Sequence, residues 1–116
     1  MRSTYNFGIL GEYIAMIYLL LKGYKILKKR FKTKLGEIDI IAEKGQYIIV
    51  VEVKTRKNKN IEINEVVKAN QTKRIINTIK IFLNNNSRYC KYNIRFDIIL
   101  ISFFKIKHLQ NAWHER

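Results

Sequence analysis

Two β-branched, apolar runs between Gly36 and Arg56 carry charge where burial should exclude it. The first reads Gly-Glu-Ile-Asp-Ile-Ile-Ala and the second Ile-Ile-Val-Val-Glu-Val-Lys-Thr-Arg. Buried strands of this composition normally exclude carboxylates. The chain holds only nine Asp and Glu against twenty-three Lys and Arg, yet Glu37, Asp39 and Glu52 all fall inside these runs. Successive side chains of a strand alternate between faces, so Glu37, Asp39 and Ile41 are expected on one face and Ile38, Ile40 and Ala42 on the other. In the second run Glu52 and Lys54 point one way, Val51 and Val53 the other. The polar break Glu43-Lys44-Gly45-Gln46 suits a tight reversal, which makes the pair an antiparallel hairpin. Carboxylates then converge with one ammonium nearby. Close carboxylates repel unless a cation lies between them, and hard oxygen ligands of this kind favour a divalent metal.

The rest of the chain is read by periodicity. Residues from about Tyr5 to Lys22 are expected to form a helix, Tyr24 to Phe31 a strand, Asn64 to Leu83 a second helix and Tyr92 to Phe104 a last strand. Lys57 to Asn60 reads as a polar loop and Asn84 to Ser87 as a helix break. The order αβββαβ predicts an α/β fold, a mixed sheet flanked by helices. In the second helix Ile75, Ile76, Ile79, Phe82 and Leu83 form a core stripe. Thr72, Gln71 and Lys68 continue that face toward the N-terminus. The first helix is apolar nearly all round, with Leu10, Ile14, Ile17 and Leu21 on one side and Ile9, Met16 and Leu19 on the side of Glu12. Such a helix asks for a second cover, either the segment around Leu109 and Trp113 or another subunit in a homodimer.

With 116 residues and 47% hydrophobic content, the chain suffices for one core, and a single domain is expected. Its formal charge of +14 attracts polyanions, and nucleic acid leads the expected partners. The longest apolar run, Tyr13 to Leu21, is far short of the roughly 18 to 20 residues that cross a bilayer. No membrane partner is expected, and a cytoplasmic location is. The lone Cys90 makes no internal disulfide and is expected to be buried or half-buried. His108 and His114 have no zinc-type spacing and are read as surface or packing residues. Ser102 shows no partner base, and a Walker-type phosphate loop is missing.

Asp39 followed by Glu52-Val53-Lys54 resembles the signature of the PD-(D/E)XK nuclease superfamily. Around it, Gly11-Glu12 with Ala15, Leu20 and Gly23, then Gly36-Glu37-Ile38-Asp39, Val51 to Arg56, Arg95-Phe96-Asp97, and Ile106-Lys107-His108 through Ala112-Trp113 together resemble the bacterial YraN-like family. The resemblance implies a restriction-endonuclease-like core, akin to that of Holliday-junction resolvases, and a metal-dependent nuclease acting on DNA ahead of RNA. Asp39 and Glu52, with the Val53 carbonyl, would hold Mg2+, for which Mn2+ could substitute. Lys54 would orient the attacking water or neutralise charge on the phosphate. Glu37 would hold water or a second ion, and Glu12 would be a further carboxylate near the metal. Lys34, Arg56, Lys68, Gln71 and Lys73 are the candidate nucleic-acid contacts, Gln71 standing where the family usually carries a basic residue. Asp97 is read as one half of a structural ion pair. A non-catalytic nucleic-acid-binding protein is the alternative, associated with DNA, RNA or the ribosome.

Overall fold

The computed structural model describes residues 2–56, 69–102 and 105–113. Helix α1 (Arg2–Leu21) leads into a meander of β1 (Lys25–Thr33), β2 (Gly36–Lys44) and β3 (Tyr47–Thr55). Helix α2 (Ala69–Asn85) and a short 3-10 turn at Ser87–Tyr89 precede β4 (Asn93–Ile101) and β5 (Ile106–Trp113). The strands form one sheet in sequence order, antiparallel at every junction except β3–β4, which is parallel. A parallel neighbour requires a long crossover, and α2 lies within it. The expected mixed sheet between helices is therefore observed, with one strand more than expected.

That extra strand is β5, the segment expected to cover α1. It pairs instead with β4, from Ile101↔Ile106 to Phe96↔Trp113, with a register shift between Phe96 and Ile98. Leu109 and Trp113 pack on Ile98 and Leu100, and Trp113 stacks on Phe96 with ring centroids 4.0 Å apart. The outward face of α1 stays exposed at Leu10, Tyr13, Ile17, Leu20 and Leu21. Its buried face is Ala15 and Leu19, both without exposure, so the expected stripe through Leu10 and Ile17 points outward.

The sheet separates two apolar layers. Ala15, Leu19 and Tyr24 meet Ile40, Ala42, Ile49, Val51, Ile99 and Ile101 on one side. On the other, Ile75, Ile79 and Phe82 of α2 meet Ile38, Ile41, Ile48, Val50 and Phe96, as the α2 stripe predicts. Alternation along β3 is regular. Along β2 it is not: Ile38 packs with Ile41 beneath α2 while Ile40 packs toward α1, so the strict alternation expected from Glu37 to Ala42 is interrupted at Asp39. Arg30 supplies a physical reason. The β1 register Lys29↔Ile40 and Phe31↔Ile38 sets Arg30 across from Asp39, and Arg30 has φ +50, a left-handed conformation that twists a strand locally.

Two glycines carry the geometry. Gly45, at φ +60, makes the two-residue reversal after Lys44↔Tyr47, where a side chain would be strained. Gly11 lies directly on the Thr55 methyl, and a Cβ there would collide with Thr55 Cγ2. This close approach seats α1 over the end of β3 and brings the next residue, Glu12, toward the hairpin.

Strand β1 is an open sheet edge carrying Lys25, Lys28, Lys29, Arg30 and Lys32, with a register shift between Ile26 and Lys28. Charge and irregularity together discourage another strand from pairing there. Cys90 is exposed, contrary to the expected burial, because it follows directly on the surface 3-10 turn. Among the described residues, no helix is long and apolar enough to cross a membrane.

Candidate active site

The β2–β3 ladder runs from Lys44↔Tyr47 to Ile40↔Val51 and stops. The next residues in that register are Asp39 and Glu52. Here the strands part, and the main-chain Val53 N–H donates to Asp39 Oδ2 at 2.8 Å. A side chain thus takes the donor that a continuing ladder would have used. Within one strand residue the N–H and C=O point to the same side, so the Val53 carbonyl is directed toward the Asp39 carboxylate as well.

Glu52 is only 6% exposed. Its Oε2 accepts from Gln71 Nε2 at a long 3.4 Å, and its Oε1 is buried without a hydrogen-bond partner among the described residues. Burial pushes the Glu52 carboxyl up to about 9, with Asp39 adding repulsion and Lys54 opposing it. Asp39 is also raised, first by burial and then by Glu12 and Glu37, against the Val53 hydrogen bond and Lys54. Glu12, Glu37, Asp39, Glu52 and Lys54 therefore share one electrostatic neighbourhood. An orphaned carboxylate oxygen beside a second carboxylate whose charge is disfavoured fits a hard divalent cation, which would supply the missing ligand bond and offset the repulsion. Among the described residues no cluster of three His, Cys, Asp or Glu side chains forms a metal-holding group; the residues that would hold a cation here are the two carboxylates with the Val53 carbonyl.

Glu12 reaches the site from α1 but is also held by Arg30, Nε to Oε1 at 2.8 Å. Arg30 did not emerge from the sequence, since nothing in a basic strand marks which residue turns left-handed. Glu37 is exposed on β2, Lys34 is exposed in the β1–β2 turn, and Lys73 is exposed on α2. Arg56 follows β3, its Nη1 donating to the Thr55 carbonyl at 2.8 Å. Gln71 turns toward Glu52 and not outward, so its first contact is with the acidic pair. Lys68 lies outside the described residues, as do His114 and the expected loop at 57–60.

A second polar cluster lies apart from these residues. Asp97, fully buried, accepts two hydrogen bonds from Arg95 at 2.9 and 2.8 Å, pairs with His108 Nε2 at 2.7 Å and accepts the Asn111 N–H at 2.9 Å. Arg95 also donates to the Tyr24 hydroxyl at 2.6 Å, and His108 Nδ1 lies 3.1 Å from the Tyr18 hydroxyl. Burial pushes the Asp97 carboxyl up, but the His108, Arg95 and Asn111 hydrogen bonds outweigh it and the net shift is downward. This network ties β4 and β5 to α1, which accounts for both Asp97 and the packing role of His108.

A five-stranded mixed sheet flanked by two helices, with the acidic pair and lysine at the parting of its hairpin, is a restriction-endonuclease-like α/β fold. The chain belongs to the YraN-like family, Uncharacterised protein family UPF0102, whose profile matches residues 11–101. It is 40% identical to the UPF0102 protein of Ehrlichia ruminantium strain Gardel, over 98% of this chain and 89% of the relative. The Ehrlichia chaffeensis member is 42% identical over 98% and 93% of the two chains. That of Thermodesulfovibrio yellowstonii is 45% identical over 89% and 91%.

Proposed function

We infer that the protein is a metal-dependent nuclease that hydrolyses phosphodiester bonds in DNA, with structured or branched DNA as the substrate class. The observation that carries this reading is the unpartnered, buried Glu52 Oε1 beside Asp39, one strand step from Lys54. A magnesium ion bound there would polarise the scissile phosphate and lower the pKa of a bound water. Asp39, held by the Val53 N–H, and Glu52, touched by Gln71, are positioned before any ligand arrives, so little reorganisation is needed on binding. Lys54 presents a fixed positive charge to the phosphate oxygens as their negative charge grows, and its ammonium can orient the attacking water. Glu12 and Glu37 add negative charge around the same point, which strengthens cation binding and disfavours a second ionised carboxyl without a cation. The excess of fourteen positive charges draws the polyanion in and renders its binding salt-dependent.

The test is a panel of duplex, flap, junction and single-stranded DNA and RNA incubated with magnesium or manganese, with Lys54→Ala and Asp39→Ala as controls. Metal-dependent cleavage lost in both variants supports the reading. Calorimetry showing no divalent-cation binding that depends on Asp39 and Glu52 would sink it.

A second reading is favoured by one observation: the donor set contains two carboxylates and no third ligating side chain among the described residues. In it the protein binds nucleic acid without turnover. It predicts strand binding that is unchanged by chelation and by Glu52→Gln.

A further inference from the structure

We propose that a hollow between α1 and β1 receives one unstacked nucleobase of a single strand, beside the acidic pair Asp39 and Glu52. The proposal rests on the nuclease reading for its position but not for its chemistry. The hollow is about 270 Å³ and is lined by Ile9, Glu12, Tyr13, Lys29 and Arg30. That volume lies just under the roughly 300–1,000 Å³ of sites for drug-sized ligands, which matches one nucleotide and not two.

Each lining residue has a use for that ligand. Tyr13 is 49% exposed and, with Ile9, offers an apolar wall; a nucleobase of any identity has a π-face that stacks on such a ring. Lys29 Nζ lies over the Tyr13 ring, 4.8 Å from its centroid, so a base that stacks on that face takes the place of the ammonium, which then turns to the phosphate of the strand. Glu12 and Arg30, paired at 2.8 Å, offer an acceptor and a donor to the base edge. Phosphate alone is a poor occupant, because Glu12 would repel it.

Backbone strain supports the assignment independently. Arg30 is a non-glycine residue at φ +50, a strained conformation that persists where surrounding contacts hold it. It lies across from Asp39 in the β1–β2 register, and Glu12 acts electrostatically on Asp39. Glu12, which lines the hollow, is thus also one of the charges that act on Asp39, so a base in the hollow would leave its strand close to the acidic pair. Double-stranded DNA keeps its bases stacked and cannot fill the hollow without extruding one.

The experiment measures binding in EDTA, where no cleavage occurs. A short single-stranded oligodeoxynucleotide carrying 2-aminopurine and the same sequence as a duplex are titrated against wild type, Tyr13→Phe, Tyr13→Ala and Lys29→Ala. Stacking should quench the 2-aminopurine emission with wild type and Tyr13→Phe. Tyr13→Ala should abolish the quench and weaken single-strand binding by roughly fivefold to a hundredfold, the range of one lost base–aromatic stack, while duplex affinity changes less than about twofold. Lys29→Ala should weaken single-strand binding and lower its salt slope by about one. Equal losses on single strand and duplex would overturn the proposal, and so would unchanged single-strand binding by Tyr13→Ala. A drop in sedimentation mass of Tyr13→Ala with unchanged strand affinity would assign the ring to contact between copies and overturn it too. The two readings fail separately. Quenching without any metal-dependent cleavage rejects the nuclease and keeps the hollow, whereas cleavage with Tyr13→Ala binding normally rejects the hollow alone.

Discussion

The Val53 amide donates to Asp39 Oδ2 at 2.8 Å, just past Ile40↔Val51, the last rung of the β2–β3 ladder. Asp39 therefore does two things at once: it satisfies a main-chain donor where the hairpin opens and it carries half of the candidate metal site. Asp39→Ala removes both. Asp39→Asn keeps an oxygen for Val53, so it should destabilise the fold less than alanine, by about 1 kcal/mol of difference, while abolishing metal binding equally. Urea denaturation beside calorimetric metal titration checks both halves.

Glu52 links metal to stability through its proton. Its carboxyl is pushed from an ordinary 4.5 up to about 9 in the fold. Between those values the folded protein holds a proton that the unfolded chain has released, so rising pH favours unfolding. Metal-free protein should lose stability from about pH 5 toward pH 9, and Glu52→Gln should flatten that slope and gain about 1–3 kcal/mol at pH 8. Magnesium should restore the wild type at pH 8, bind more tightly as pH rises, and leave Glu52→Gln unmoved. A wild-type curve that is flat in EDTA would contradict this.

The hairpin's existence was legible because its main devices have sequence signatures: regular alternation in β3, a glycine at the reversal, and scarce acidic residues set within apolar runs. Strand β5 was not, since Lys107, Gln110 and Asn111 dilute its pattern and its inward side chains are the apolar Leu109 and Trp113 with the polar His108. The inward face of α1 was equally hidden. In a helix apolar all round, periodicity ranks no side above another, and the choice was made by the small residues Gly11 and Ala15, which allow close approach. Arg30 and the break in alternation at Asp39 arise from one left-handed residue that no local pattern announces.

Gly11 should be intolerant of a single added methyl. Gly11→Ala drives a Cβ into Thr55 Cγ2 and should cost about 1–3 kcal/mol, with a loss of cleavage as Glu12 is displaced. Thr55→Ser removes the obstructing methyl, so the double variant should recover much of both. A double-mutant cycle on stability and on cleavage rate measures that coupling.

Glu12 separates function from folding. Its pair with Arg30 is largely solvated, with side chains 28% and 40% exposed, and such pairs contribute about 0–1 kcal/mol. Glu12→Gln should leave the urea midpoint nearly unchanged yet reduce metal affinity or cleavage about tenfold to a hundredfold, as expected for a group that orients the ligands. Unaltered cleavage would return Glu12 to a purely surface role.

Asp97 should behave oppositely. Its carboxyl is held below the usual 3.8, so its contribution is present above that value and is lost as pH falls through the folded-state value. Asp97→Asn leaves Arg95 and His108 facing a neutral amide in a buried setting and should cost about 3–5 kcal/mol near neutrality. The difference from wild type should shrink in strong acid, which urea denaturation at pH 7 and pH 3 would show.

The basic edge of β1 has a consequence for handling the protein and for its divergence. Five cations in nine residues discourage the open edge from pairing with another strand, and two of them, Lys29 and Arg30, also line the hollow against α1. If the hollow receives a nucleobase as proposed, solubility and strand binding draw on the same side chains. Substitutions that neutralise β1 should show first as lower soluble yield, before any assay of nucleic acid is run, and relatives should exchange lysine for arginine there far more readily than either for a neutral residue.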